Sequence, residues 1–340
     1  MMRYRNLVLT LVSLGLLAAF LGWAEGNLDR FLWRLLNFGA IYAIAAVGYN
    51  LINGVTGQFS LGPHGFMLLG AYLVSLFMLP LYQKKVVWLF QPLAWPFSEF
   101  TLPYSGFILA LLAAGLLATV AGLLVGIPAL RALRGDYLAI ATFGFGEIIF
   151  VLACNLMSLT NGPMGIKGIP QYTNLWWSFG TLAVVTYAAL RIKHSSYGRA
   201  LRAIREDELV AESMGIDVFK HKLLAFLFSA FCAGVAGGLY ATLVGTVSPD
   251  PFRFFMTFYL LIIIVLGGLG SITGSVVTGF IFAALFEGLR FLDTATVPGM
   301  RMVFFSVLLI VVMIFFRRGL FGEWEFSWDA VFQGLGRLRR

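Results

Sequence analysis

The sequence has little charge and few of the residues that build metal or catalytic sites. Charged residues make up 12% of its 340 positions, against about 25% in a typical soluble domain. Only three histidines and two cysteines are present. We therefore expect no metal, no cofactor and no disulfide, with Cys154 and Cys232 acting as small apolar side chains. A chain that is 60% hydrophobic cannot cover itself with polar surface, so we expect its solvent to be lipid.

The motifs of several enzyme classes are also missing. There is no G-x-x-x-x-G-K-[ST], no H-E-x-x-H and no G-x-S-x-G. The sequence therefore predicts a protein that is not an enzyme and does not itself hydrolyse ATP. The net charge of +8 comes without a basic and aromatic surface for stacking bases, so no nucleic-acid partner is expected.

Long charge-free runs predict an all-α polytopic membrane protein in which residues 1–340 form a single membrane domain. One crossing needs about 20 apolar residues, and the runs 35–83 and 254–286 are too long for one crossing each. Glycine and proline residues in these runs supply places for the chain to turn back. About ten transmembrane helices result, at 7–24, 32–52, 60–81, 105–128, 137–159, 176–192, 222–246, 255–271, 274–292 and 300–316.

The distribution of basic residues orients these helices. With ten crossings, both termini share one face with 131–136 and 191–222, and that face carries sixteen of the 24 Lys and Arg. The positive-inside rule therefore predicts that both termini are cytoplasmic. The first apolar run begins like a signal peptide but is long enough to be kept as a helix. The aromatic stretch 82–104 is expected to form an irregular cap on the outer face.

A polar stretch separates the second predicted helix from the third. A helix broken by Gly and Pro leaves backbone groups unpaired, which membranes tolerate only inside protein or beside water. Two interpretations stay open, a simple cytoplasmic hairpin or a polar passage at a broken helix. The passage would be lined by Asn50, Asn53, Gln58, Ser60 and His64. The segments 54–72 and 267–283 resemble each other weakly, since each has a break ahead of a helix.

Glu147 lies inside a predicted crossing. A charge near the middle of a bilayer costs at least about 2.5–3.5 kcal/mol, so an acid there is a functional candidate by default. The structural alternative is a bond between Glu147 and a neighbouring helix. Both interpretations stay open.

A charged segment stands out at 191–222. It holds seven of the 24 Lys and Arg and five of the 16 Asp and Glu, with charge-free runs on both sides. Apolar side chains recur near helical spacing at Leu201, Ile204, Val210, Ala211 and Met214. Gly215 is a natural stop for such a helix. The helix could lie on lipid, dock into a groove of a partner or belong to a solvated loop.

Five groups of residues, taken in order, resemble one family. They are 48–62 (GYNLINGVTGQFSLG), 133–147 (LRGDYLAIATFGFGE), 160–166 with 168–170 (TNGPMGI and GIP), 197–205 (YGRALRAIR) and 267–271 (GGLGS). Together they resemble the LivM-type permeases of branched-chain amino acid importers. The core of the charged segment, 211–216, is similar to the EAA-like loop of ABC importer permeases. Pro63, between Gly62 and His64, and the insert 82–104 depart from the family pattern.

The resemblance implies a permease of the bacterial inner membrane that works by alternating access on branched-chain or related amino acids. The implied partners are ABC ATPase subunits, a second homologous permease chain and an extracytoplasmic solute-binding protein, within the lipid bilayer. The cytoplasmic loop 193–222 would carry the ATPase-docking helix, moving as one lever at roughly 199–215. The implied docking residues are Arg205, Glu208, Ala211, Glu212 and Gly215.

Other functions stay open at this stage. ABC permeases for urea and short amides look similar to the same family. A secondary transporter driven by an ion gradient would use Glu147 as its coupling acid. A membrane-embedded enzyme and a passive channel for a small neutral solute are two further possibilities, although the sequence offers no acid pair or metal cluster for an enzyme.

Overall fold

The computed structural model describes residues 2–88, 91–133, 135–289, 299–315, 319–326 and 328. Most of the described chain is helical. The α-helices of the described residues are α1 (Met2–Asn27), α2 (Arg30–Asn50), α3 (Pro63–Met78), α4 (Leu81–Val87), α5 (Phe107–Ala132), α6 (Asp136–Asn155), α7 (Met157–Thr160), α8 (Leu175–His194), α9 (Ser196–Glu206), α10 (Glu208–Ser213), α11 (Val218–Val244), α12 (Phe254–Gly267), α13 (Ile272–Gly288) and α14 (Met300–Phe315). Two short strands, β1 (Ile166–Lys167) and β2 (Thr246–Val247), pair antiparallel with Ile166 opposite Val247.

Within the described residues, six helical segments are long and apolar enough to cross a membrane. They are Val8–Asn27, Arg30–Val55, Tyr104–Ala132, Asp136–Asn155, Leu175–His194 and Val218–Val244. The helices α3, α12 and α13 are also apolar but shorter. The expectation of an all-α membrane protein is confirmed, and the chain is of the multi-pass type. The total of ten crossings and the cytoplasmic termini stay predictions.

The centre of the molecule is built from α2, α3 and α11. In the most apolar 18-residue stretch of each helix, 83% of the residues are buried in α2 and 67% in α11, against 12% in α1. The first helix, α1, therefore lies at the edge. Glycines of α11 lie where this helix packs closely against its neighbours. A Cβ added at Gly234 would lie 2.7 Å from the Ala114 carbonyl oxygen of α5, and one at Gly237 would overlap the Met67 carbonyl of α3.

Two breaks interrupt this core. In the first break, α2 continues into a π-helical turn at Leu51–Val55, residues 56–62 are irregular, and α3 begins at Pro63. The second break lies between α12 and α13, where the Ser271 hydroxyl accepts a hydrogen bond from the Gly274 amide. With 14 residues, α12 is about 21 Å long at 1.5 Å per residue, less than the hydrocarbon core of about 30 Å.

The segment that follows α3, predicted to lie on the outer face, is one short helix, α4, and then a run of turns. Lys84 of α4 is buried and donates hydrogen bonds to the carbonyls of Phe97 at 2.7 Å and Phe100 at 2.6 Å. Burial lowers the pKa of Lys84 to about 8. These bonds explain how a lysine is tolerated in the predicted irregular cap, since the carbonyls replace the water that the ammonium group loses.

Candidate functional site

Asn50, at the end of α2, joins the two breaks to each other. Its Oδ1 accepts a hydrogen bond from the Gly270 amide at 2.8 Å. Its Nδ2 lies 2.9 Å from the Ser271 carbonyl oxygen and 2.6 Å from the Ser275 hydroxyl. The side chain is fully buried. Asn50 is predicted above to line a passage, but these bonds occupy its polar atoms, so the structure makes it a connection between segments.

Asn53 and Ser60 fold the first break back on itself. Asn53 Oδ1 accepts from the Ser60 amide at 3.4 Å, and the Tyr49 hydroxyl donates to the Ser60 carbonyl at 2.6 Å. Ser60 is buried and Tyr49 is fully buried. These contacts hold part of residues 56–62 in the interior, with Gln58 and Ser60 buried and Phe59 exposed. Irregular backbone is tolerated where protein surrounds it. The simple cytoplasmic hairpin therefore fits this segment less well than an internal broken helix.

Two further side chains of the break bring polar atoms into the interior. Both amide atoms of Gln58 and the Nε2 atom of His64 are buried and have no hydrogen-bond partner among the described residues. The His64 side chain is fully buried, and its Nδ1 lies 2.9 Å from the Thr257 hydroxyl of α12. An unpaired buried polar group costs free energy, so these atoms are suited to a polar solute or to water.

Glu147 of α6 lies next to His64. The distance from Glu147 Oε1 to His64 Nε2 is 3.8 Å, and the side chain of Glu147 is 34% exposed while that of His64 is not exposed at all. Phe143 of α6 and Phe254 of α12 stand beside the histidine, with ring centroids 6.4 and 6.3 Å from it. The structure therefore brings His64 and Glu147 together beside an aromatic pair, as the prediction of a shared passage requires.

This cluster suits small-molecule binding better than metal binding. Within the described ranges no group of three or more His, Cys, Asp or Glu side chains could hold a metal ion. A carboxylate and an imidazole beside aromatic rings offer one negative group, one unpaired polar atom and an apolar wall. Such a surface can bind a molecule that carries both an ammonium group and an apolar side chain.

The charged loop differs from the prediction of one lever helix at 199–215. It contains two helices, α9 and α10, separated at Asp207. Asp207 has an extended backbone with φ −158°, and its Oδ1 accepts hydrogen bonds from the amides of Leu209 at 2.8 Å and Val210 at 3.1 Å. An aspartate that caps a new helix in this way ends the preceding one, so the single helix is corrected to two.

Gly215 ends α10 as the sequence predicts. Its φ is +81°, in the left-handed region that favours glycine. The Gly215 amide donates to the Glu212 carbonyl at 2.9 Å and the Ile216 amide to the Ala211 carbonyl at 3.1 Å, which is the Schellman pattern. This closure fixes the direction in which α10 points.

The predicted apolar side of the loop divides into two surfaces. Leu201, Ile204 and Ala211 are buried against the rest of the chain. Val210 and Met214 instead point outward, together with Leu209, and are 58%, 78% and 67% exposed. Because the helix restarts at Asp207, Val210 and Met214 do not continue the buried side, whereas Ala211 does. These three side chains are an exposed apolar surface on a charged loop.

The five residues predicted to dock an ATPase do not share one surface. Glu212 and Gly215 are exposed. Ala211 is buried at 2% exposure, so its side chain packs inside the chain and does not reach a partner. Glu208 forms a close ion pair with Lys222 of α11. Arg205 donates to the Gly54 carbonyl of the first break at 2.9 Å.

The sequence pattern did not identify three polar residues near the two breaks, Lys193, Glu323 and Glu325. Lys193 at the end of α8 pairs with Glu325 at 2.7 Å, and Arg205 pairs with Glu323 at 2.7 Å. The signal in the sequence is weak, because two acids near the end of an apolar chain look like an ordinary polar tail. Only the structure shows that they turn back to the core.

These features define a class of protein. It is a multi-pass α-helical membrane protein whose interior holds two broken segments and buried polar side chains, and whose charged loop exposes apolar residues. Broken helices that carry polar groups at membrane depth are typical of transporters.

Comparison with known proteins places the chain within this class. A family model described as the permease component of the branched-chain amino acid transport system matches residues 31–313. The chain therefore belongs to this permease family, whose members are transport components and not enzymes. The resemblance noted from the five motifs is confirmed. A search of solved structures gave no match.

Individual relatives are similar over most of the chain. The high-affinity branched-chain amino acid transport system permease protein LivM of Salmonella typhimurium is 35% identical over 265 residues, which cover 68% of this chain and 57% of that protein. LivM of Escherichia coli is 33% identical over 314 residues, covering 82% and 67%. LivH of Escherichia coli is 27% identical over 320 residues, covering 87% and 96%. The chain thus spans somewhat more than half the length of the Salmonella LivM protein.

Proposed function

We propose that this chain is the membrane-spanning permease subunit of an ATP-driven importer for branched-chain or related amino acids. It would act in the bacterial inner membrane by alternating access. Separate ABC ATPase subunits would supply the energy, a second homologous permease chain would complete the passage, and an extracytoplasmic solute-binding protein would deliver the solute. Both the LivM and the LivH relatives are named as permease proteins of a high-affinity branched-chain amino acid transport system.

The observation that carries the proposal is the exposed surface of α10. Leu209, Val210 and Met214 are 67%, 58% and 78% exposed within a loop rich in charge, where apolar side chains gain nothing from water. A short helix that presents apolar side chains to a groove is a common way to bind a protein partner. The acids of the same helix, Glu208 and Glu212, argue against an anionic lipid surface as its target.

The passage for the solute would run beside His64 and Glu147. The Glu147 carboxylate would accept the ammonium group of an amino acid, and Gln58 and His64 would offer polar atoms that have no partner among the described residues. The rings of Phe143 and Phe254, with centroids 4.5 Å apart, would contact an apolar side chain. This arrangement favours a neutral amino acid over urea, which has neither an ammonium group nor an apolar side chain.

The test is a native pull-down combined with transport. Tagged chain is purified gently from its source membranes, its partners are identified, and uptake of leucine and of urea is measured in proteoliposomes with and without internal ATP. We expect two ATPases, a second permease and uptake of leucine that depends on ATP. Uptake that survives ATP depletion and collapses with a protonophore would support an ion-coupled transporter instead.

The docking surface is tested by placing a charge on it. We expect Met214→Asp to remove the ATPase subunits from the purified complex, because a carboxylate cannot enter an apolar groove without losing its hydration. Met164→Asp is the matched control, since Met164 is 66% exposed in the loop predicted to be external. Retention of the ATPases by Met214→Asp would contradict the docking surface.

A further inference from the structure

The chain after α14 returns to the second break. The Leu320 amide donates to the Leu266 carbonyl at 2.7 Å, and the Phe321 amide donates to the Gly267 carbonyl at 3.3 Å. The Ser271 hydroxyl donates to the Trp324 carbonyl at 2.6 Å. Residues 319–326, here called the return segment, are thus attached to the break through its backbone.

A buried ion pair fixes the end of α8 to the start of α13. Lys193 Nζ donates to the Gly270 carbonyl at 2.6 Å and to Glu325 Oε1 at 2.7 Å, with side chains 10% and 12% exposed. Glu325 also accepts from the Ile272 amide at 2.6 Å and from the amide and hydroxyl of Thr273 at 3.0 and 2.6 Å. A carboxylate at the first turn of a helix is stabilised by the amides and the helix dipole. This inner pair is held from several sides.

Arg205 of α9 forms a second, more exposed ion pair with the return segment and also contacts the first break. Arg205 Nη1 donates to the Gly54 carbonyl at 2.9 Å, and Nη2 donates to Glu323 Oε1 at 2.7 Å. The side chains of Arg205 and Glu323 are 31% and 67% exposed. Pairs open to water form and break at little cost, so this outer pair can rearrange while the inner pair stays in place.

The two pairs repeat one arrangement. In each, a cation of the charged loop donates to the carbonyl of a glycine in a break and to a glutamate of the return segment. Asn50 links the breaks themselves, through the Gly270 amide at 2.8 Å. A displacement of α9 therefore reaches both breaks through hydrogen bonds of defined length, and the breaks continue into the helices that carry His64 and Thr257.

We propose that Lys193, Arg205, Glu323 and Glu325, together called the bracket, are positioning residues that transmit movement of α9 and α10 to the solute passage. The inner pair would act as a fixed point and the outer pair as the part that moves. This inference rests on the proposed function, because only an ATPase bound to α10 supplies the movement. It assigns to the return segment a role in coupling ATP hydrolysis to uptake.

The bracket is tested in the reconstituted complex by the number of solute molecules taken up per ATP hydrolysed. We expect Glu323→Gln and Arg205→Met to lower this ratio by roughly tenfold, within the range of common coupling energies, while the ATPases still co-purify. Lys220→Gln is the matched control. Lys220 forms an exposed ion pair with Asp217 at 2.8 Å in the same loop, but this pair contacts neither break.

A charge reversal separates the contact with the break from the ion pair. Arg205→Glu combined with Glu323→Arg restores opposite charges but leaves the Gly54 carbonyl without its donor from position 205. We expect the ratio of uptake to ATP to stay low in this double variant. Full recovery would overturn transmission to the break, because the ion pair alone would then suffice.

The outcomes distinguish the bracket from the proposed function. If the unaltered complex shows no ATP-dependent uptake, the proposed function fails. If the unaltered complex transports and Glu323→Gln equals it, the bracket alone is overturned. Loss of the ATPases from Glu323→Gln, or an equal loss of coupling in Lys220→Gln, would also overturn it, since the pair would then serve only to stabilise the loop.

Discussion

Glu147 is the residue at which the solute passage is tested most directly. We expect Glu147→Gln to raise the KM for a neutral amino acid by about 10- to 150-fold, because a hydrogen bond to a charged group contributes about 1.5–3 kcal/mol. Uptake by proteoliposomes at several solute concentrations measures the change. Glu99→Gln is the control, since Glu99 is an exposed acid between α4 and α5. A KM equal to that of the unaltered chain would remove Glu147 from the passage.

At the residue scale, the sequence identified polar side chains but not their roles. Asn50, Gln58 and His64 look alike in the sequence, as polar residues near a break. In the structure the polar atoms of Asn50 are bonded to the second break, whereas both amide atoms of Gln58 have no described partner. The partner of Asn50 lies 220 residues away, and no local pattern predicts a contact at that distance.

At the scale of the element, the return segment is expected to respond to pH. The hydrogen bond from Arg205 lowers the pKa of Glu323. The contact therefore contributes its full stability at pH values above the ordinary pKa of a glutamate. That stability is lost as the pH falls through the lowered pKa, because protonation removes the charge that Arg205 binds. Hydrogen exchange at the Leu320 and Phe321 amides, corrected for the intrinsic effect of pH, should therefore accelerate in acid.

The same measurement on Glu323→Gln provides the control for this pH effect. A glutamine side chain does not titrate in this range. Exchange at the two amides of the variant should therefore be faster than in the unaltered chain at neutral pH, and it should change less than in the unaltered chain on acidification. Identical pH profiles for the unaltered chain and the variant would show that Glu323 does not hold the return segment.

Helices were easier to predict than the points at which they stop. The apolar runs predicted helices close to their positions in the structure, and Gly215 predicted the end of α10. The break at Asp207 was missed, because an acid within a charged amphipathic pattern fits a helix surface as well as a cap. The distinction depends on whether the Asp207 side chain turns back to the amides of Leu209 and Val210.

At the scale of the whole molecule, the packing of the core depends on a close backbone contact between α3 and α11. A Cβ at Gly237 would overlap the Met67 carbonyl, and backbone cannot move aside as a side chain does. We expect Gly237→Ala to destabilise the protein by about 1–3 kcal/mol through overpacking. The midpoint of thermal unfolding in detergent should fall accordingly.

Gly180→Ala is the matched control for this packing. An added Cβ at Gly180, in α8, meets no atom within 4 Å, so alanine there should be neutral or should stabilise the helix by up to about 1 kcal/mol. A lower midpoint in both variants, or in neither, would contradict the assignment of Gly237 to a backbone contact.

The bonds of Asn50 have a consequence for how this sequence can vary. Aspartate at position 50 has no N–H group to offer the Ser271 carbonyl, and glutamine places its amide one methylene further out. Serine is too short to span both the Gly270 amide and the Ser275 hydroxyl. A lineage that keeps these two turns in contact must therefore keep asparagine at position 50 or change both turns at the same time. No single substitution at position 50 preserves the contact.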